Sequence, residues 1–200
     1  NAQAQYSRGL MSQGGLGVER DYSKASKYYQ LAADQGYALA QFNLGLLYQD
    51  GLGVEQDDSK ASKYYQLAAD QGHAQAQYNL GLLYLRGEGV EQDYSKASKY
   101  FQLAADQGDA QAQYSRGLMY RDGLGVEQDY SKASKYFQLA ADQGDAQAQY
   151  SLGRLYYYGK GVLEDEEKAK EYFRAAAQQG DDLAVKDLAS KALRELSDCS

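Results

Sequence analysis

Residues 40–72 read AQFNLGLLYQDGLGVEQDDSKASKYYQLAADQG. Ala40, Leu44, Leu47 and Tyr48 recur at helical spacing and share one face, which predicts a first helix from Ala38 to Asp50. Gly51-Leu52-Gly53-Val54 then interrupts it, because glycine reaches the left-handed conformation that closes a helix. Asp57 is placed to N-cap a second helix over 58–71, in which Ala61, Tyr65 and Ala68 form an i, i+4, i+7 stripe. Gly72 ends that helix. Nothing in the chain alternates with a period of two, so no strand is predicted.

The same pattern recurs on both sides of this stretch. Gly9, Gly45, Gly81, Gly117 and Gly153 are spaced by 36, as are Gly36, Gly72, Gly108, Gly144 and Gly180. Asp21, Asp93, Asp129 and Asp165 repeat the cap of Asp57, and Asp109 and Asp145 are placed to cap first helices. Residues 90–115 recur unchanged as 126–151. Two-helix units at such a period make a solenoid, since one unit cannot bury its own apolar stripe and its neighbours must cover it. The predicted fold is therefore all-α, in a single domain over 1–200. Its repeats lie at about 1–36, 37–72, 73–108, 109–144 and 145–180, with a capping helix over 181–198. Ala184, Leu188 and Ala192 are the expected core stripe of that last helix.

Composition narrows the function. Among 200 residues there is no Pro and no Trp, but there are 21 Gly and 21 Tyr, the bias of an array of one unit. A net charge of −7 argues against a nucleic-acid groove or an anionic membrane surface as partner. No apolar run is long enough to span a bilayer. With one cysteine, Cys199, and one histidine, His73, neither an intrachain disulfide nor a Cys- or His-rich metal site is expected, and no cofactor is implied. Starting at Asn1 with no leader, the chain is expected to be a processed form, secreted or periplasmic forms included; the compartment is not read.

Four elements recurring in register, Leu-Gly-x-x-Tyr, Gly-x-Gly-Val, Asp-x-x-Lys-Ala and Ala-Ala-x-x-Gly, resemble the Sel1-like repeat (SLR), a relative of the tetratricopeptide repeat. The resemblance spans residues 2–180. It implies a right-handed α/α superhelix and a non-enzymatic role as adaptor or scaffold for a protein or peptide partner. Glu55 stands where Pro often follows Gly-Val, and Tyr64 where Trp is frequent. The cysteine pairs of a β-lactam-binding subgroup are missing.

If the first helices line the concave side, as the resemblance implies, the face opposite Ala40 and Leu44 carries the candidate partner site. That wall holds Phe42, Tyr78, Tyr114 and Tyr150, with Asn43, Asn79, Gln111, Arg121, Arg154 and Tyr157 beside them. Flat aromatics with polar tips and arginines suit a peptide, and two arginines on an acidic chain favour one bearing carboxylates. The same rings also suit packing of one first helix on the next. Arg8 and Arg116 replace Leu on the core stripe, so each is expected to snorkel to the edge; Arg116 is the candidate anchor for an acidic group. Leu31, Leu67, Leu103 and Leu139 form a row on the second helices, expected to pack between them or else to leave a strip open to weak self-association of an otherwise monomeric chain. His73 is expected to be a loop variant. Two other readings stand beside the scaffold: a structural or consensus-engineered array without a ligand, and a β-lactam-binding enzyme-like member. No catalytic residue is assigned, since nucleophilic catalysis needs an oriented base and an oxyanion site.

Overall fold

The computed structural model describes residues 1–15, 17, 19–179 and 183–198, with side chains over 19–178 and 185–196 in the last two stretches. Ala184 and Cys199, singled out above, lie outside the described side chains. Eleven helices occur among the described residues. They are α1 (Ala2–Gly14), α2 (Tyr22–Ala33), α3 (Ala38–Asp50), α4 (Asp58–Ala69), α5 (Ala74–Arg86), α6 (Tyr94–Asp106), α7 (Ala110–Asp122), α8 (Tyr130–Asp142), α9 (Ala146–Tyr158), α10 (Glu166–Gln179) and α11 (Leu183–Asp198). No strand occurs among the described residues. The odd helices α1–α9 are the first helices of the repeats and the even ones the second. The chain is an all-α solenoid of paired helices, and it divides into two compact units, Asn1–Ala104 and Ala105–Ser200.

In the first unit α1 to α5 pack in sequence order, each on the next. Asp21, Asp57 and Asp93 accept from Lys24 N, Lys60 N and Lys96 N at 2.8–2.9 Å, satisfying donors that a helix start leaves without partners. Gly51 takes φ 67° and closes α3. Gly53, at φ 70°, lies so close to the start of α2 that a Cβ would meet Tyr22 C at 2.2 Å. The stripe of α4, Ala61, Tyr65 and Ala68, is fully buried, as are Ala40, Leu44 and Leu47 of α3. The recurrent helix glycine has a steric role that its spacing alone did not show. A Cβ on Gly45 would lie 2.6 Å from the Tyr65 ring, and on Gly81 2.7 Å from Phe101. That glycine is the slot for the largest core side chain of its own unit.

Buried glutamines join successive repeats. Gln41 and Gln77 reach back to Ala33 O (3.3 Å) and Ala69 O (3.2 Å), carbonyls at the end of the preceding second helix. Tyr64 and Tyr100 donate to Gln30 and Gln66, 34 residues earlier, at 2.8 and 2.7 Å. The second unit repeats this chemistry: Gln149 reaches Ala141 O, and Tyr172 donates to Gln138.

Three expectations are corrected. Arg116 does not snorkel: it is 4% exposed, with its guanidinium 4.6 Å from the Tyr120 ring centre and 5.4 Å from that of Tyr136. Its Nη2 donates to Tyr120 Oη at 2.9 Å. Two rings make an interior berth for the cation, whereas the exposed Arg8 has a single ring, Tyr28, at 6.0 Å. The leucine row is not packed away, since Leu31, Leu67, Leu103 and Leu139 are all exposed. Leu31 and Leu139 rim shallow apolar grooves, the first between Leu31, Leu44, Tyr48 and Val54 and the second between Leu139, Leu152, Tyr156 and Val162. In α11 the core stripe is Val185, Ala189 and Leu196, and Leu188 is exposed. Where the repeats have Gln149 and Gly153, this helix has Val185 and Ala189. Apolar side chains at those two positions turn it about one residue from the expected register.

Candidate functional site

The wall residues sit on α3, α5, α7 and α9, and each unit shows them separately. In the first unit Phe42 is half-buried, 5.8 Å from the Tyr65 ring and stacked on His73 at 4.6 Å. Tyr78 lies 5.7 Å from Phe101. Asn43 and Asn79 are committed to tyrosine hydroxyls: Asn43 Nδ2 lies 3.4 Å from Tyr6 Oη, and Asn43 and Asn79 also serve the buried Tyr29 and Tyr65. Burial pushes the Tyr29 hydroxyl up to about 12, with the Asn43 hydrogen bond opposing the shift. His73 caps α5, its Nδ1 accepting from Ala76 N at 3.2 Å, so it is more than a loop variant.

In the second unit Tyr114 and Tyr150 pack on Phe137 and Phe173, both at 5.6 Å. Burial raises the Tyr114 hydroxyl above its usual range, against a hydrogen bond from Ser151 that lowers it. Gln111 is exposed in the first turn of α7. Arg121, from the last turn of α7, and Arg154, from the C-terminal half of α9, line one pocket of about 390 Å³. Arg154 also shares a smaller pocket, about 80 Å³, with Tyr150, Tyr157 and Glu195.

The larger pocket contains residues not named among the wall candidates. Lys160 enters from the loop after α9, Tyr130 from the first turn of α8, and Tyr158 and Ser151 from α9. The loop is held there by Gly161 (φ 71°), where a Cβ would meet Tyr130 C at 2.2 Å. Arg121 donates Nε and Nη2 to the two oxygens of Asp122, each at 2.7 Å. That two-pronged hold raises the Arg121 pKa further, so it stays cationic.

One column of the repeat explains why Arg121 and Tyr157 can stand on the wall. In the first two repeats the buried ring is a tyrosine whose hydroxyl donates to a wall glutamine: Tyr29 to Gln13, and Tyr65 to Gln49 at 2.6 Å. In the last three the ring is Phe101, Phe137 or Phe173, and the column carries Leu85, Arg121 or Tyr157 instead of Gln. The column after Tyr6 changes too, from Asn43 and Asn79 to Ser115 and Ser151. Where the ring has no hydroxyl to satisfy, the wall position is freed from a structural hydrogen bond. The signal stood in the sequence, but the pairing across 16 residues requires the packed helices.

Paired-helix repeats stitched through buried glutamines, with side-chain variety gathered toward the first-helix ends, define an α/α repeat solenoid. The Sel1 repeat profile matches residues 2–37, 38–73, 74–109, 110–145 and 146–181, and the chain belongs to the Sel1 repeat family. Sel1 repeat proteins are generally protein-interaction scaffolds and typically non-catalytic. The fold matches a protective antigen of uropathogenic Escherichia coli displaying an SLR fold, with 36% identity and a TM-score of 0.92 over 98% of this chain. This chain spans 41% of that antigen's length. A Sel1 repeat protein from Oxalobacter formigenes gives 35% identity and a TM-score of 0.91, covering 98% of this chain and 78% of its own. An immunity protein of Pseudomonas aeruginosa shares the fold at 23% identity and a TM-score of 0.54, over 98% of this chain and 81% of its own. No curated protein matches. Among the described residues no helix is long and apolar enough to cross a membrane.

Proposed function

We propose that this chain is a non-enzymatic scaffold whose first-helix wall holds an extended peptide segment of a protein partner. The observation that carries the reading is the freed column: beside Phe137 and Phe173 the wall holds Arg121 and Tyr157, residue types that dominate binding hot spots, where the first repeats hold a bonded glutamine. Tyr114 and Tyr150 are half-buried, so each packs on its own unit with one face and offers area with the other. Phe42, Tyr78 and the exposed Gln111 extend the same kind of surface within their units, while Asn43 and Asn79 support buried hydroxyls there. Arg116, buried between the Tyr120 and Tyr136 rings, belongs to the core in this reading and not to the partner surface. Peptides selected from a random display library on the immobilised chain should bind wild type. They should lose binding by about tenfold or more to Tyr114→Ala with Arg121→Ala, with circular dichroism unchanged. Lys63→Glu, on an exposed second-helix position, should leave binding intact. Selected peptides that respond to Lys63→Glu and ignore the wall pair would place the partner on the second helices.

A further inference from the structure

The pocket of the second unit has a charge pattern that the wall reading alone does not require. Arg121, Arg154 and Lys160 face it with one carboxylate, Asp122, which Arg121 already engages. Among the described residues Arg154 and Lys160 meet no carboxylate within ion-pair distance. Each lies near a tyrosine ring instead, Arg154 at 6.0 Å from Tyr158 and Lys160 at 5.4 Å from Tyr130. These cations stand uncompensated in a chain of net charge −7.

The repeat shows that they are particular to this place. At the position of Arg154 the other four repeats have Leu10, Leu46, Leu82 and Leu118. At the position of Lys160 the second, third and fourth have Leu52, Glu88 and Leu124. Helix packing therefore does not require a cation at either position. In an array with 26 consecutive residues identical between neighbouring repeats (90–115 and 126–151), both departures fall on one concavity.

We propose that this pocket seats two carboxylates of an acidic peptide segment, on Arg154 and Lys160, with an aromatic side chain of the same segment against Tyr130 and Tyr158. The proposal rests on the reading that the chain binds a peptide, and it names the chemistry of that peptide. Arg154 supplies a planar two-donor fork and Lys160 a point charge, together neutralising two carboxylates. The ring faces beside them supply apolar area at low entropic cost. Glu195, which shares the smaller pocket with Arg154, is an internal competitor for that guanidinium.

The probe is a fluorescein-labelled peptide of sequence Glu-Phe-Glu-Glu, followed by anisotropy, with Gln-Phe-Gln-Gln as its neutral counterpart. The acidic peptide should saturate and bind about tenfold or more tighter than the neutral one, and should weaken as salt rises. Arg154→Leu with Lys160→Leu restores residues that sister repeats carry, so the variant should fold with unchanged circular dichroism. It should lose the acidic peptide by about tenfold or more. Equal binding of the two peptides, or an unaffected double variant, overturns the proposal. So does inorganic phosphate that shifts the amide resonances around Arg154 and Lys160 while the acidic peptide does not, which marks a simple oxyanion site. The two readings fail separately. Display-selected peptides that still depend on Tyr114 and Arg121 while the double variant keeps the acidic peptide would leave the wall standing and remove the pocket.

Discussion

The pair Tyr65 and Gln49 is the smallest place where structure and function meet. Tyr65 Oη donates to Gln49 Oε1 at 2.6 Å from a fully buried ring. Removing one partner leaves the other poorly satisfied, at a cost of about 1–3 kcal/mol. Tyr65→Phe and Gln49→Leu should each destabilise, whereas the double substitution, which reproduces the Phe101 and Leu85 pair of the next repeat, should recover about 1 kcal/mol of their summed cost. Urea unfolding of the four proteins measures that coupling; strict additivity would detach the wall column from the core ring. Arg116 teaches a different lesson. Its position on a leucine stripe is plain in the sequence, but its surroundings are not, because the rings that hold it come from α7 and α8 together. A buried charge costs solvation that a hydrophobic residue does not, and replacing one with an apolar side chain is often neutral or stabilising. Arg116→Leu should thus raise stability by about 1 kcal/mol and flatten the Tyr120–Tyr136 stack from 15° toward the 2–8° of the sister pairs. A clear loss of stability in urea would assign the cation a structural role that leucine cannot fill.

At the scale of the element, caps and stripes were the most legible features. Asp21, Asp57, Asp93, Asp129 and Asp165 all cap as their spacing predicts, since the interaction is local and needs no tertiary partner. The register of α11 was less legible. Extending the repeat put Leu188 inside, but the apolar residues at 185 and 189 outweigh that inheritance. The cap of α5 departs from the aspartates and carries a pH dependence. His73 uses a neutral Nδ1 as acceptor, and burial lowers its pKa below the usual value of 6.5. Its folded-state contribution is therefore present above the unfolded value and is lost as pH falls through the lower folded one. The aspartate caps of α4, α6 and α8 titrate below their usual 3.8, in a separate window. Between pH of about 7.5 and 5 the melting temperature of the wild type should fall relative to His73→Asn, which caps without titrating. Parallel pH profiles for the two proteins would show that protonated His73 retains its place.

On the scale of the whole molecule, the period decides how stability is distributed. Within the two units, α1 to α5 and α7 to α11 draw their burial from sequence neighbours, through stripes such as Ala61, Tyr65 and Ala68, and through glutamine and tyrosine links that reach back 8 or 34 residues. Such an array is stabilised by nearest-neighbour terms and has no single distant core to lose. Deleting residues 90–125 tests this with little disturbance at the junction. Gly89 is then followed by Val126, and residues 126–151 repeat 90–115 without change, so α8 replaces an identical α6 behind α5. The deletion removes α7, with its Arg116 and Arg121, and leaves Arg154 on α9 and Lys160 in the loop that follows it. Far-UV circular dichroism should keep the same helix signal per residue, while the urea midpoint falls because one interface is gone. The acidic peptide should bind more weakly, having lost the Arg121 wall of its pocket. Collapse of the helix signal to that of an unfolded chain would mean that stability is shared globally, and the repeat would then describe the ancestry of the sequence and not the way it holds together.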